Sequence, residues 1–522
     1  MPLTDILIFI AFTLGTVLFG GSFVRKNKNA DDYTSGSGNM PGFVVGMSVF
    51  ATYVSSISFL ALPGNAFAGN WNSLVFSLTI PLAAILAARF FVPFYRNIDS
   101  ISAYSFLETR FGYWARAYAA VCYLLTQVAR IGSVLFLMAL PLHTLLGWSV
   151  EGIVLVTGLA VVLYSMMGGI KAVIWTDAIQ GTILIIGALT CVIILLFEIP
   201  GGFSAFIEQG MEAGKFSLGS LGVELNTSTF WVMILYGTFI NLQNFGIDQN
   251  YVQRYKSAKD LKSARFSALF GGLLYLPVSF LFFVIGAALY VYYQNKPLPE
   301  GIANDQVFPY FIVNVLPEGI TGLLIAAIFA AGMSTISTSI NSSATVMFTD
   351  FIQRNKHKMN TETGANPRRS EIGKKGDLLR IAKNNVRQNT FGNSNSFTAD
   401  FRQLKTLRIA SLLIGLAGTG VALAMISVKS ALDAWWSLAG IFSGGMLGLF
   451  LLGYLSRRVQ SWQAMAGVIV GVLLIGWMSL SGQTTLHSYL TTVLGTSTIV
   501  LVGAVLAFLI KADTHNEPKI TK

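Results

Sequence analysis

The chain has 522 residues, of which 53% are apolar and only 11% charged. A soluble domain carries about a quarter charged residues, so composition excludes an ordinary soluble protein and indicates a polytopic membrane protein whose spans need about 20 apolar residues each. The net charge of +11 is no nucleic-acid signature, because most of the basic residues sit in the loops between apolar runs. Cys122 and Cys191 both lie inside such runs, which excludes a disulfide framework, and His143, His357, His487 and His515 show no metal-ligand spacing. No nucleophile–base pair, metal motif or phosphate loop lies at membrane depth, so an enzyme is not expected. The first apolar run lacks a basic leader and a small-residue cleavage site, so it reads as retained.

Thirteen spans are predicted, near 4–24, 42–68, 71–95, 117–146, 150–168, 171–197, 228–249, 266–293, 317–350, 406–427, 431–455, 462–481 and 487–510. Basic residues alternate with this count. Arg25, Lys26 and Lys28, then Arg96, Arg110 and Arg116, then Lys171, then Arg254, Lys256, Lys259, Lys262 and Arg265, and finally Arg457 and Arg458 fall in the odd-numbered loops. The opposite loops are short or carry acids such as Glu198, Glu208, Glu212 and Glu224. The positive-inside rule then predicts the N-terminus outside and the C-terminus inside. Loop 351–405 is polar and basic and reads as a solvated cytoplasmic tether, with room for a short helix around Asp377–Arg387.

Two spans carry breaks. The run from Val49 to Ser58 has a polar middle before Pro63 and Gly64, and the run from Thr238 to Asp248 holds Asn241, Gln243 and Asn244 before Gly246. Set aside the leader span, and they are the first and sixth. Broken helices at corresponding places in two halves are the mark of an inverted-repeat transporter with its site at the midplane, where freed backbone groups line a cavity.

Three further features carry chemistry. Arg130 sits inside the run Ala117–Leu146, where a cation costs about 2.5–3.5 kcal/mol on insertion scales. A guanidinium fork suits a planar carboxylate, so Arg130 reads as a ligand contact, with an ion pair to intramembrane Asp177 as the structural alternative. Asp177 itself could complete a cation site, accept a proton or pair with Arg130. In the ninth span Ser334, Thr335, Ser337, Thr338 and Ser339 are denser than an apolar helix needs, and Ser334, Ser337 and Thr338 share a face whose oxygens suit sodium.

These stretches resemble the sodium/solute symporters, a family that includes the bacterial sodium/galactose symporter and the sodium-coupled sialic acid symporters. The resemblance is carried by Ala51–Ser58, Ser102–Phe111, Gly168–Gln180, Asn241–Arg254 and the ninth-span serine run, and covers nearly the whole chain. It implies an all-α membrane protein with a five-plus-five inverted-repeat core. It implies a sodium site on Ala51, Val54, Ala331, Ser334 and Thr335, and a second on Asp177, Ser334, Ser337 and Thr338, hence one or two sodium ions per cycle. Substrate positions carried over are Arg130, Tyr53, Ser55, Ser58, Ser77 and Asn241. Tyr53 is bulkier than the threonine expected of sialic acid members, Ser77 replaces a glutamine, and Asn244 stands where the sugar carrier has an aromatic gate.

The expected organisation is a leader helix and linker at 1–41, a first repeat at 42–197, a second at 198–455, and two tail helices with a short C-terminus at 456–522. The expected function is sodium-driven import of a small polar organic solute, best an acidic sugar such as sialic acid, by a monomer with no nucleic-acid partner. The alternative is a neutral sugar or polyol, with Arg130 structural.

Overall fold

The computed structural model describes residues 2–23, 29–296, 298–354, 393–427, 431–480 and 485–510. These residues are helical, without a β-strand; one isolated bridge joins Met40 to Ala258. In chain order the helices are α1 (Leu3–Ser22), α2 (Gly42–Tyr53), α3 (Ser56–Ala68), α4 (Trp71–Arg96) and α5 (Ser105–Phe111). Then come α6 (Tyr113–Leu146), α7 (Val150–Glu198), α8 (Gly202–Glu212), α9 (Phe230–Ile247) and α10 (Gln249–Ser257). The rest are α11 (Leu261–Asn295), α12 (Asn304–Asn314), α13 (Ile320–Val346), α14 (Asn393–Ala424), α15 (Ala431–Leu455), α16 (Ser461–Leu480) and α17 (Leu490–Leu509).

Ten helices among the described residues are long and apolar enough to cross a bilayer, and the bent pair α2–α3 makes eleven. The other two expected spans are the shorter apolar helix Val150–Leu163 and α9, whose second half carries Asn241, Gln243 and Asn244. The expected break between spans 150–168 and 171–197 lies within α7, where two helices meet at a kink. It falls at Gly169, whose φ of 61° lies in the left-handed region that glycine enters without steric cost.

Helix α13 is the hub. Of its most apolar stretch 89% is buried, against 17% for the peripheral α1. It packs against α1, α2, α6, α7, α10 and α14, which accounts for its small and hydroxylated residues: they admit close neighbours and hydrogen-bond back to their own helix. Helix α1 docks through Asp5, which is buried and accepts from the amides of Gly319 and Gly322 at 2.6 and 2.9 Å. A carboxylate is stabilised at the electropositive start of α13. A Cβ at Gly322 would stand 2.6 Å from the Asp5 backbone, so only glycine permits this approach.

Loop 351–405 is helical at its two ends, since the turns Met347–Gln353 continue α13 and α14 begins at Asn393 rather than near 406. The short helix expected around 377–387 lies outside the described residues.

Candidate substrate and sodium sites

The first break is built by two extended residues. After Tyr53, Val54 and Ser55 leave helical geometry, with ψ of 119° and 178°, and the axes of the two flanking helices differ by 48°. The second break lies at Asp248, later than the Asn241–Gly246 stretch suggests. Asp248 is extended (ψ 128°), and its side chain caps α10 by accepting from the Asn250 amide at 2.7 Å. A short polar side chain that satisfies a free helix amide starts the new segment.

Between the two breaks lies a cavity lined by Tyr53, Ser55, Ser58, Ser77 and Arg130, with Gln127, Asp248, Tyr251, Tyr275 and Trp435 completing its wall. Five of the six expected substrate positions therefore meet here. Asn241 stands one bond behind the wall: it accepts from the Tyr53 hydroxyl, and its amide donates to the Phe76 carbonyl at 3.1 Å and to Thr79 Oγ1 at 2.8 Å. Ser77 Oγ shares a hydrogen bond with Ser279 Oγ at 2.8 Å.

Arg130 donates from Nη2 to the Thr52 carbonyl at 2.7 Å, and its guanidinium lies 6.0 Å from the Trp435 ring centre. The ion pairs among the described residues do not include it. The alternative pairing of Arg130 with Asp177 is thereby corrected: the Asp177 carboxylate is taken by Arg254.

Two features of this wall were not singled out from the sequence. Asp248 is a buried carboxylate on the same cavity as Arg130, and its only signal is an acid at the end of the second polar run. The other is an aromatic cluster under the first break. The Tyr53 ring stacks on Phe245 at 5.8 Å and meets Tyr275 edge-on at 4.5 Å, while Phe245 abuts Tyr251 at 5.0 Å. The bulk of Tyr53 thus has a structural use, and aromatic rings stand beside Asn244 although Asn244 is polar.

The positions expected to hold the first sodium are all buried: Ala51, Val54, Ala331, Ser334 and Thr335 are each at most 3% exposed. Helices α2 and α13, which carry them, pack together, and Thr335 Oγ1 lies 3.0 Å from the Ala331 carbonyl oxygen, to which it donates. The donors are carbonyl and hydroxyl oxygens at a helix break, a set that fits a small hard cation needing few full charges.

The positions expected to hold a second sodium are differently engaged. Asp177 Oδ1 accepts from Ser334 Oγ at 2.6 Å, while Oδ2 accepts from Ser48 Oγ and from Arg254 Nη2, each at 2.6 Å. The same Nη2 lies 2.7 Å from Thr338 Oγ1, Arg254 Nε donates to Ser48 Oγ at 2.8 Å, and Nη1 donates to the Asn250 carbonyl at 2.8 Å. Ser337 Oγ donates to the Ser334 carbonyl at 3.0 Å. Arg254 was counted with the cytoplasmic loop cations, and this is corrected too: it is fully buried. The break at Asp248 turns α10 inward and carries the guanidinium to Asp177.

On the face where the loop-side basic residues gather, a second charged network joins α5, α6 and the end of α13. Arg116 bridges Glu108 and Asp350, Arg354 reaches the other Glu108 oxygen at 2.6 Å, and Ser102 Oγ donates to Asp350 at 2.8 Å. Burial alone raises Glu108, but the two guanidiniums outweigh it and hold its carboxyl below the usual range.

The sodium:solute symporter family model matches residues 33–371. The chain is 30% identical over 508 residues to the sodium/sialic acid symporter NanT of Aliivibrio fischeri, covering 97% of this chain and 93% of that one. It is 29% identical over 484 residues to the human sodium-coupled monocarboxylate transporter 2, covering 91% of this chain and 71% of the relative. It superposes on the substrate-bound, outward-open structure of a sodium-coupled sialic acid symporter with a TM-score of 0.84 and 28% identity, covering 98% of each chain. A nucleobase-cation-symport-1 family transporter shares the fold, with a TM-score of 0.55 at 15% identity. The expected inverted-repeat architecture, sodium coupling and non-enzymatic function all follow from one conclusion: this chain belongs to the sodium:solute symporter family.

Proposed function

We propose that this symporter imports a small organic acid, an acidic sugar of the sialic acid type, with Arg130 as its carboxylate clamp. The observation that carries this reading is a guanidinium on the cavity between the two breaks that donates to the Thr52 carbonyl and, among the described residues, enters no ion pair. Arg130 is half-buried; Asp248 lines the same cavity, and a substrate carboxylate can take two parallel bonds from the fork. The relatives' names support it, because sialic acid and monocarboxylates are both carboxylates. Ser55, Ser58, Ser77 and Asp248 then face the hydroxyl-rich remainder, and Asn241 holds Tyr53 in place.

Sodium at Ala51, Val54, Ala331, Ser334 and Thr335 joins the break at Val54–Ser55 to α13. The Thr52 carbonyl that positions Arg130 belongs to the same broken turn, so whatever fixes that turn also fixes the clamp. Each ligand then raises the affinity of the other by the same factor. The N-terminus is taken to lie outside and the C-terminus inside, since Arg96, Arg116 and Lys171 are tied into contacts on one face. The repeats are taken to run over 42–197 and 198–455, and the working unit is taken to be a monomer.

The test is uptake of labelled N-acetylneuraminic acid into proteoliposomes under an inward sodium gradient, with a matched potassium control. Sodium-dependent accumulation is expected. Its absence, with uptake of a neutral sugar or polyol instead, favours the alternative in which Arg130 serves only to brace Thr52.

A further inference from the structure

The Asp177 site asks which cation neutralises its carboxylate. Asp177 is fully buried, and both of its oxygens already accept: one from Ser334, the other from Ser48 and Arg254. Thr338, the other side chain that would face an ion there, accepts from the same Arg254 nitrogen. A sodium ion at this carboxylate would find only Oδ1 with a lone pair to spare and would sit beside the guanidinium's own positive charge. It would also leave a net positive charge in a water-poor site, which burial penalises. Arginine cannot relieve this by losing a proton. Leaving is also opposed, because Arg254 is held at three further points, by Ser48, Thr338 and the Asn250 carbonyl. Residues 177, 334, 337 and 338 do not fit a second ion in this arrangement.

We infer that Arg254 is a tethered cation that permanently fills the second cation site, so that this symporter binds one sodium ion per chain rather than two. The guanidinium then does structurally what an ion would do there: it ties α10 to α2, α7 and α13 through Ser48, Asp177 and Thr338. The inference rests on the sodium-symport reading and specifies its stoichiometry.

The test counts sodium on the purified full chain with radioactive sodium-22 in a saturation binding assay, which needs no knowledge of the substrate. One ion per wild-type chain, with a Hill coefficient of one, is expected. Arg254→Ala vacates the carboxylate and should raise the count to two, and Arg254→Gln, which keeps a hydrogen-bonding side chain to support the fold, should do the same. Adding Asp177→Asn to either variant should return the count to one. Two ions per wild-type chain would overturn the inference and leave the symporter reading intact. A count that stays at one in both folded Arg254 variants would also overturn it. No bound sodium at all would remove it together with the sodium site at the first break.

Discussion

Arg254 Nη2 lies 2.6 Å from Asp177 Oδ2, and both side chains are shut off from solvent. The pair joins α10, the segment after the second helix break, to α7, and through Ser48 it reaches α2 before the first break. Each break frees the chain to change direction; this pair fixes the direction taken.

Removing one partner strands the other. Asp177→Asn should cost about 3–5 kcal/mol, because a buried guanidinium loses its counter-charge. Thermal unfolding of the purified protein checks it. A change of under about 1 kcal/mol, the range of an exposed pair, would show that the charges are not buried together in the working protein.

Arg130→Ala is expected to abolish uptake of an acidic substrate and leave the unfolding temperature nearly unchanged. Arg130→Lys should also lose uptake, by tenfold or more, because an ammonium cannot offer two parallel bonds. Full activity in the lysine variant would mean that a point charge suffices.

Asn241→Ala leaves the Tyr53 hydroxyl and Thr79 without their shared partner. An unsatisfied buried polar group costs about 1–3 kcal/mol, so the concentration for half-maximal uptake should rise about fivefold or more. The sodium dependence, read from transport rate against sodium concentration, should keep its shape.

The Glu108–Arg116–Asp350–Arg354 network ties α5 and α6 to the end of α13 on one face. Asp350→Asn should strand the buried Arg116 guanidinium and lower the unfolding temperature of the purified protein. The depressed Glu108 carboxyl gives the pH sign. Its contribution is complete above the ordinary glutamate value of about 4.3 and disappears as pH falls through the lower, folded-state value. Acidification should therefore lower the unfolding temperature of the native protein more than that of Glu108→Gln.

Much of this was legible because membrane burial makes polar residues conspicuous. Arg130, Asp177 and the serines of α13 stand out in apolar runs, and so does the polar middle of the first break. Tyr53, Ser55, Ser58, Ser77 and Arg130 line one cavity. What remained hidden needs three-dimensional direction. Arg254 lies among Lys256, Lys259 and Lys262, and in one dimension it is another loop cation. Only the turn at Asp248, which starts a new helix pointing inward, distinguishes it. Asp248 was hidden for a related reason: its cap role places the break two residues after the glycine at 246.

The most direct test of the central claim is competition for sodium-driven uptake of labelled N-acetylneuraminic acid by the unlabelled acid and by its methyl ester. The ester keeps every hydroxyl and loses only the charge that Arg130 would clamp. The acid should compete and the ester should fail to. Equal competition by both would contradict a carboxylate clamp at Arg130.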